Sequence, residues 1–164
     1  VAIARVGGRA GRKAARPPWT AADVRRHVAI PVPCLGLGRC LEIMFLAAII
    51  QAQGDFTKIS AGLNHALDHS FFVGVMTNSL FGMILIATAS AGAARVWPWA
   101  DNVIFWGLNI GAASFIAVLL TVGSGYSAPG PFQHPVAYTA SLMGLSALLG
   151  IGTLQRRLGA ATRA

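Results

Sequence analysis

Three apolar runs of about 20 residues each place the tightest constraint on how this chain can fold. They cover residues 66–89, 103–122 and 136–154; the last two hold no charged residue, and the first holds only Asp68. A helix of about 20 apolar residues crosses a hydrocarbon layer about 30 Å thick. Because lipid offers the backbone no hydrogen-bond partners, we predict that each run is a membrane-spanning helix.

A fourth, weaker run covers residues 28–52 and contains Pro31, Pro33, Arg39 and Glu42. Arg39 and Glu42 are three residues apart, so their side chains can pair on one helix face. With this run, we predict an all-α integral membrane four-helix bundle. If the chain natively begins at Met44, the first span is lost and three helices remain.

The charged residues lie mainly at the two ends of the sequence. Of 13 Lys and Arg residues, seven fall in the first 26 positions and three follow position 155, for a net charge of +8. Nucleic-acid binders carry a basic face on a folded domain, so we expect no nucleic-acid partner. We predict a basic, disordered leader at 1–27, a transmembrane domain at 28–155 and a basic tail at 156–164.

The positive-inside rule assigns a topology to the four spans. It places both termini and the loop at 90–102, which carries Arg95 and Asp101, on the inner side of a bacterial inner membrane. The loops at 53–65 and 123–135 then lie outside. The partner expected from this pattern is the lipid bilayer.

Small and polar residues inside the spans predict how the helices pack. Four-residue spacings of small residues favour close helix approach; they occur at Gly107–Gly111, Ala140–Gly144 and Ser146–Gly150. Asn78 and Asn109 lie deep in their spans, where a carboxamide needs a hydrogen-bond partner. They either bond each other or a neighbouring carbonyl, or they bond the edge of a cofactor or a file of water molecules.

Three histidines are the only candidates for metal or cofactor chemistry. His65 and His69 share a face at the outer end of the second span beside Asp68, and His134 begins the fourth span at the same end. His69 or His65 could bind haem iron together with His134. Alternatively, His65 and His69 could bind zinc or copper with Asp68 or His134 as third ligand.

The competing interpretation of these histidines is structural. His134 precedes Pro135, a favoured first-turn residue of a helix, and His65 and His69 would be polar residues at the membrane interface. His27 is assigned to the basic leader, and Cys34 and Cys40 have no spacing typical of a metal or redox site. The sequence lacks the hydrolase, kinase and dinucleotide-binding motifs, so we expect no catalytic activity of its own.

Two stretches resemble a family of small bacterial membrane proteins similar to part of haem-copper oxidase subunit I and to the nitric-oxide-response membrane protein NnrS. The first stretch reads His65-x3-His69-x-Phe71-Phe72-Val73-Gly74, Met76-Thr77-Asn78 and Leu80-Phe81-Gly82. The second reads Trp99-Ala100-Asp101-Asn102, Phe105-Trp106 and Asn109-Ile110-Gly111. The resemblance implies a haem-associated helical membrane protein with His69 as axial ligand and His65 as its substitute.

The chain also departs from the oxidase subunit, because its third span has no histidine. At most one haem, of b type, fits this pattern, so the hypothesis is electron transfer, haem handling or sensing, with Asn78 and Asn109 beside the haem. The alternative is a cofactor-free structural subunit or assembly partner, associated with other membrane subunits or in a homo-oligomer. A small transporter or channel is the third hypothesis.

Overall fold

The computed structural model describes residues 21–90, 97–122 and 134–161, and all regular structure in these ranges is helical. Its helices are α1 (Ala21–Ala29), α2 (Pro31–Gln51), α3 (Ala61–His69), α4 (Asn78–Ser90), α5 (Pro98–Thr121) and α6 (Pro135–Ala161). A π-helical segment, Ser70–Thr77, joins α3 to α4, and a short 3₁₀ turn, Phe56–Lys58, precedes α3. Residues 1–20 of the predicted leader, Arg95, most of the loop at 123–135 and residues 162–164 lie outside the described ranges.

Four helices are long and apolar enough to cross a membrane, which confirms the predicted all-α four-helix bundle. We call them the first span (Val24–Gln51), second span (Ala61–Ala87), third span (Trp99–Thr121) and fourth span (Pro135–Gly159). The first span runs through Pro31 because the backbone hydrogen bonds from Ile30 to Arg26 and from Cys34 to Ile30 continue on either side of it.

The four spans alternate in direction, so both ends of the described chain lie at the same end of the bundle. Arg26 of the first span and Arg157 of the fourth both contact Asp101 at the start of the third; we call this end the terminal end. At the opposite end, Gly62 of the second span packs directly against the backbone carbonyl of Leu119.

The third and fourth spans pack closely through small residues, as the sequence predicts. Gly107 faces Ser146, and Gly111 faces Met143 and the carbonyl oxygen of Thr139. Gly144 is different, because no atom lies within 4 Å of the position that a Cβ would take there. Gly144, the second residue of the predicted Ala140–Gly144 spacing, therefore makes no close contact between these two helices.

Three predicted boundaries differ from the structure. Helix α1 begins at Ala21, inside the predicted leader; α5 begins at Pro98, inside the predicted loop; and α6 continues to Ala161, inside the predicted tail. Charged residues suggested the end of a span at two of these places, but Asp101 and Arg157 neutralise each other inside the bundle. The helices can therefore continue past them.

Asp55 stabilises the turn between the first two spans by capping the short 3₁₀ turn that follows it. Gln53 and Gly54 take positive φ values of 53° and 81°, and the Asp55 carboxylate then accepts hydrogen bonds from the backbone N–H and the hydroxyl of Thr57 at 3.1 and 2.6 Å. These bonds, followed by the contact with Lys58, hold the pKa of Asp55 below its ordinary value. The turn thereby fixes where the second span begins.

Candidate functional site

His69 is held by its own helix and by one aromatic ring. Its Nδ1 lies 2.8 Å from the carbonyl oxygen of His65, and its ring centroid lies 4.3 Å from that of Phe115 on the third span. Because a carbonyl oxygen only accepts, Nδ1 of His69 must carry the proton. Nε2 then keeps a lone pair, and an Nδ1–H bonded to a carbonyl is the usual support of a ligating histidine.

His134 has the opposite hydrogen-bonding arrangement. Its Nδ1 accepts a hydrogen bond from the backbone N–H of Val136 at 3.1 Å, at the first turn of α6. A neutral ring in this arrangement carries its proton on Nε2. His134 would have to give up the hydrogen bond to the helix start before it could coordinate iron through Nδ1, or change tautomer to use Nε2.

The structure does not bring the three predicted metal ligands together. Across residues 21–90, 97–122 and 134–161, no group of three or more His, Cys, Asp and Glu side chains is placed to hold a metal ion. His65 and Asp68 are both exposed. Among these described residues, His65, His69 and His134 thus do not form a three-ligand group.

Asn78 and Asn109 bond each other, as one of the two sequence interpretations predicts. The Nδ2 of each amide donates to the Oδ1 of the other, at 2.9 and 3.1 Å. Asn109 also donates to the carbonyl oxygen of Phe105 at 2.8 Å. Most of the hydrogen-bonding capacity of both amides is thus used between and within the second and third spans.

The π-helical segment before Asn78 explains how this amide finds its backbone partners. A π-helix bonds residues five apart and leaves the carbonyl oxygens spaced differently from those of an α-helix. The Nδ2 of Asn78 donates to the carbonyls of Val73 and Gly74 at 3.2 and 3.1 Å, and the Thr77 hydroxyl donates to Phe72 at 2.8 Å. The polar residues at 77 and 78 thus support the wider helix.

His27 is a buried member of this polar cluster that the sequence interpretation missed. Its side chain is 2% exposed, and its Nδ1 lies 3.2 Å from Oδ1 of Asn78. The ring also stacks on Phe81 and meets Phe105 edge-on. Because Nδ2 of Asn78 donates to carbonyls, its Oδ1 is an acceptor and His27 must be the donor. The one sign of this burial in the sequence is that His27 directly precedes an apolar run.

A second polar cluster lies at the terminal end, where Asp101 pairs with Arg157. Their side chains are each 3% exposed and bonded at 2.5 Å. Arg26 joins them by donating to the Asp101 backbone carbonyl at 3.0 Å and to Oδ1 of Asn102 at 2.6 Å, while its guanidinium lies over the Phe105 ring. Sequence spacing cannot find this cluster, since its members are brought together only by helix packing.

A small cavity lies between the two polar clusters. Its volume is about 10 Å³, enough for about one water molecule. Its polar lining comes from His27, Asp101, Thr153 and Arg157. Polar side chains from all four spans therefore meet within the half of the bundle nearest the terminal end.

Comparison with protein families, with curated proteins and with solved structures found no match to this chain. The resemblance to haem-copper oxidase subunit I and to NnrS consequently stays a prediction.

The Asn78–Asn109 pair makes a measurable prediction about stability. Replacing either residue by Leu should lower the free energy of unfolding by about 1 kcal/mol, since hydrogen bonds between membrane helices are individually modest. The double replacement should lower the free energy of unfolding by clearly less than the sum of the two single effects, because each single variant already breaks the hydrogen bonds that the two amides share. Unfolding of detergent-solubilised protein by SDS measures all three variants.

Asn64→Leu provides the matched control, because Asn64 is an exposed residue near the start of the same span. Its effect should add to that of Asn109→Leu without coupling. Additive effects of Asn78→Leu and Asn109→Leu would contradict the pair.

Proposed function

We propose that this chain is a structural subunit or assembly partner in a bacterial inner-membrane complex, with no catalytic activity of its own. The observation that carries the proposal is the reciprocal Asn78–Asn109 pair. These are the two amides that the haem hypothesis would place beside the cofactor. Their polar atoms instead hold two helices together, which is what a structural membrane unit requires.

Hydrogen bonds and an ion pair between the spans support the same proposal. The first span contributes Arg26 and His27, the second Asn78, the third Asp101, and the fourth Arg157. Each hydrogen bond or ion pair among them joins two different spans. These contacts between spans favour a single arrangement of the helices. The outer surface of the bundle then presents a fixed shape to lipid and to other membrane subunits.

The position of the charged residues supports an inside location for both termini. Arg26, Arg156 and Arg157 lie at the terminal end, and the guanidinium of Arg156 lies 4.4 Å from the centre of the Trp97 ring. Tryptophan beside arginine is typical of the membrane interface. Together with the basic residues that precede position 21, this favours the cytoplasm for the terminal end.

Haem binding by His69 is a second candidate function, favoured by one specific observation. The Nδ1–H of His69 is directed to the carbonyl oxygen of His65, which leaves Nε2 for a metal. A bound b-type haem would supply one-electron or gas-binding chemistry in electron transfer, haem handling or sensing. His69 would hold the iron, and Phe115 would fix the orientation of the imidazole ring.

One purification separates the two functions. The tagged chain is expressed with ample haem, extracted in mild detergent, and studied by absorption spectroscopy and by native mass measurement. We expect the protein in an assembly larger than one chain, with no Soret band, and we expect His69→Ala to leave the assembly unchanged.

A Soret band that disappears in His69→Ala and persists in His134→Ala would instead establish the haem function. A purely monomeric protein would contradict the structural-subunit proposal, as would extraction of the chain from membranes by alkaline carbonate.

A further inference from the structure

The third span is exposed along one narrow stripe that begins at the terminal end. The residues of the stripe recur every three or four positions, and they are Trp99, Asn102, Val103, Trp106 and Ile110. Both indole side chains are 57% exposed. From Trp99 to Ile110 the stripe extends about 16 Å along the helix, which is about half of a hydrocarbon layer about 30 Å thick. The stripe thus has the length of one leaflet of the membrane.

The first and fourth spans border this stripe on opposite sides. Successive residues of a helix point about 100° apart, so Phe105 and Gly107 lie on the two sides of Trp106. The guanidinium of Arg26 on the first span lies 4.7 Å from the centre of the Phe105 ring, and Gly107 faces Ser146 on the fourth span. The stripe is therefore the floor of a shallow groove between these two spans.

One arginine lies at each edge of this groove, where the stripe begins. On the side of the first span, Arg26 donates a hydrogen bond to Oδ1 of Asn102 at 2.6 Å. On the side of the fourth span, the guanidinium of the exposed Arg156 lies over the Trp97 ring. The Trp97 ring stacks in turn on that of Trp99, with the two centroids 6.3 Å apart. Both guanidinium groups are thus held beside the terminal end of the stripe.

The helices carry more positive than negative charge at this end of the bundle. Their residues there include four arginines and two aspartates, namely Arg25, Arg26, Arg156, Arg157, Asp23 and Asp101. The carboxylate of Asp101 is directed into the bundle, where it pairs with the buried Arg157. The groove therefore opens on a surface that attracts anions.

We propose that this groove binds one anionic phospholipid, whose phosphate lies between Arg26 and Arg156. One acyl chain of the lipid lies along Trp99, Val103 and Trp106. A guanidinium group can donate two hydrogen bonds to one phosphate, and indole rings favour the depth at which headgroups meet acyl chains. A helix of another protein fits the groove less well, because close helix association uses small residues and two exposed indoles hold a second backbone away.

Quenching of tryptophan fluorescence by brominated lipids tests this site. The full chain with Trp19→Phe is reconstituted into phosphatidylcholine vesicles that contain a minor fraction of dibrominated phosphatidylglycerol, or the same fraction of dibrominated phosphatidylcholine. Bromine on an acyl chain quenches an indole at short range, so a lipid bound along Trp99 and Trp106 quenches more than a lipid in the bulk bilayer. We expect stronger quenching by the phosphatidylglycerol. Equal quenching by the two lipids would overturn the proposal.

Arginine variants test whether the groove itself recognises the phosphate. Arg156→Gln should lower the preference for phosphatidylglycerol about fivefold, the usual contribution of one arginine beside an anionic lipid surface, and adding Arg26→Gln should remove the rest. Because Arg156 is exposed, Arg156→Gln is a valid test even if Arg26→Gln impairs folding. Arg25→Gln is the matched control: it removes the same charge from an exposed residue that points about 100° away from Arg26. Equal losses for Arg25→Gln and Arg156→Gln would mean that surface charge alone attracts the lipid, and the groove would be wrong.

Dissolved inorganic phosphate distinguishes a lipid from a free anion. At the same ionic strength, phosphate and chloride should leave equal quenching by phosphatidylglycerol, because the acyl chain contributes to binding. If phosphate abolishes the preference and chloride does not, the groove binds the anion alone and the lipid proposal is wrong.

This lipid site goes beyond the structural-subunit proposal and does not depend on it. If the preference for phosphatidylglycerol is absent while the chain purifies in a larger assembly, only the lipid site is wrong. If the preference is present while the chain purifies as a monomer, only the structural-subunit proposal is wrong.

Discussion

Replacing Asp101 by Ala is expected to lower the free energy of unfolding by about 3–5 kcal/mol, because it leaves the charge of Arg157 buried without its carboxylate. Both side chains are 3% exposed, so bulk water does not reach the guanidinium in place of the lost carboxylate. The variant should also loosen the contact between the third and fourth spans at the terminal end. Thermal unfolding in detergent, followed by circular dichroism, measures the effect.

Two comparisons identify the buried charge as the cause. Asp55→Ala removes an exposed carboxylate that pairs with Lys58 at 3.3 Å and caps the short turn through Thr57, and it should lower the free energy of unfolding by only about 1 kcal/mol. The double variant Asp101→Leu with Arg157→Met should recover most of the loss, since apolar residues often replace a buried ion pair at no cost. If Asp101→Ala and Asp55→Ala had equal effects, the ion pair would not stabilise the bundle.

The four spans could be predicted from the sequence because each apolar run is long and nearly uncharged. Their ends could not. The loop at 90–102 and the tail from 156 were assigned on the presence of Asp101 and Arg157, yet both residues belong to helices. A charge marks the end of a span only when it reaches water, and whether it does depends on a partner more than fifty residues away in sequence.

The polar interior was predictable in part for a related reason. Asn78 and Asn109 each lie deep in a span, so a mutual hydrogen bond was one of few ways to satisfy both, and that prediction is confirmed. Whether His65, His69 and His134 meet in one site depends on how each helix is rotated about its own axis. The spacing of residues in the sequence does not determine that rotation. His27 was assigned to a leader because its neighbours are basic, although its ring is buried against Phe81.

Replacing Gly111 by Leu is expected to destabilise the protein by about 3 kcal/mol, at the upper end of the usual effect of overpacking. A Cβ at this position would lie 2.7 Å from Cγ of Met143, 3.1 Å from the Met143 backbone nitrogen and 3.3 Å from the Thr139 carbonyl oxygen. Two of these atoms are backbone of α6, so a change of side-chain rotamer cannot relieve the contact. The third and fourth spans would have to separate. SDS-induced unfolding and protease sensitivity both report such a separation.

Gly144→Leu is the matched control, because it places the same side chain on the same helix pair at a position with open space around it. Leu is a better helix former than Gly by nearly 1 kcal/mol, so this variant should be neutral or slightly stabilising. A large loss for Gly111→Leu with none for Gly144→Leu would show that close contact of the two backbones holds these spans together. Equal losses for the two variants would mean that the close contacts of Gly111 with Met143 and Thr139 do not hold these spans together.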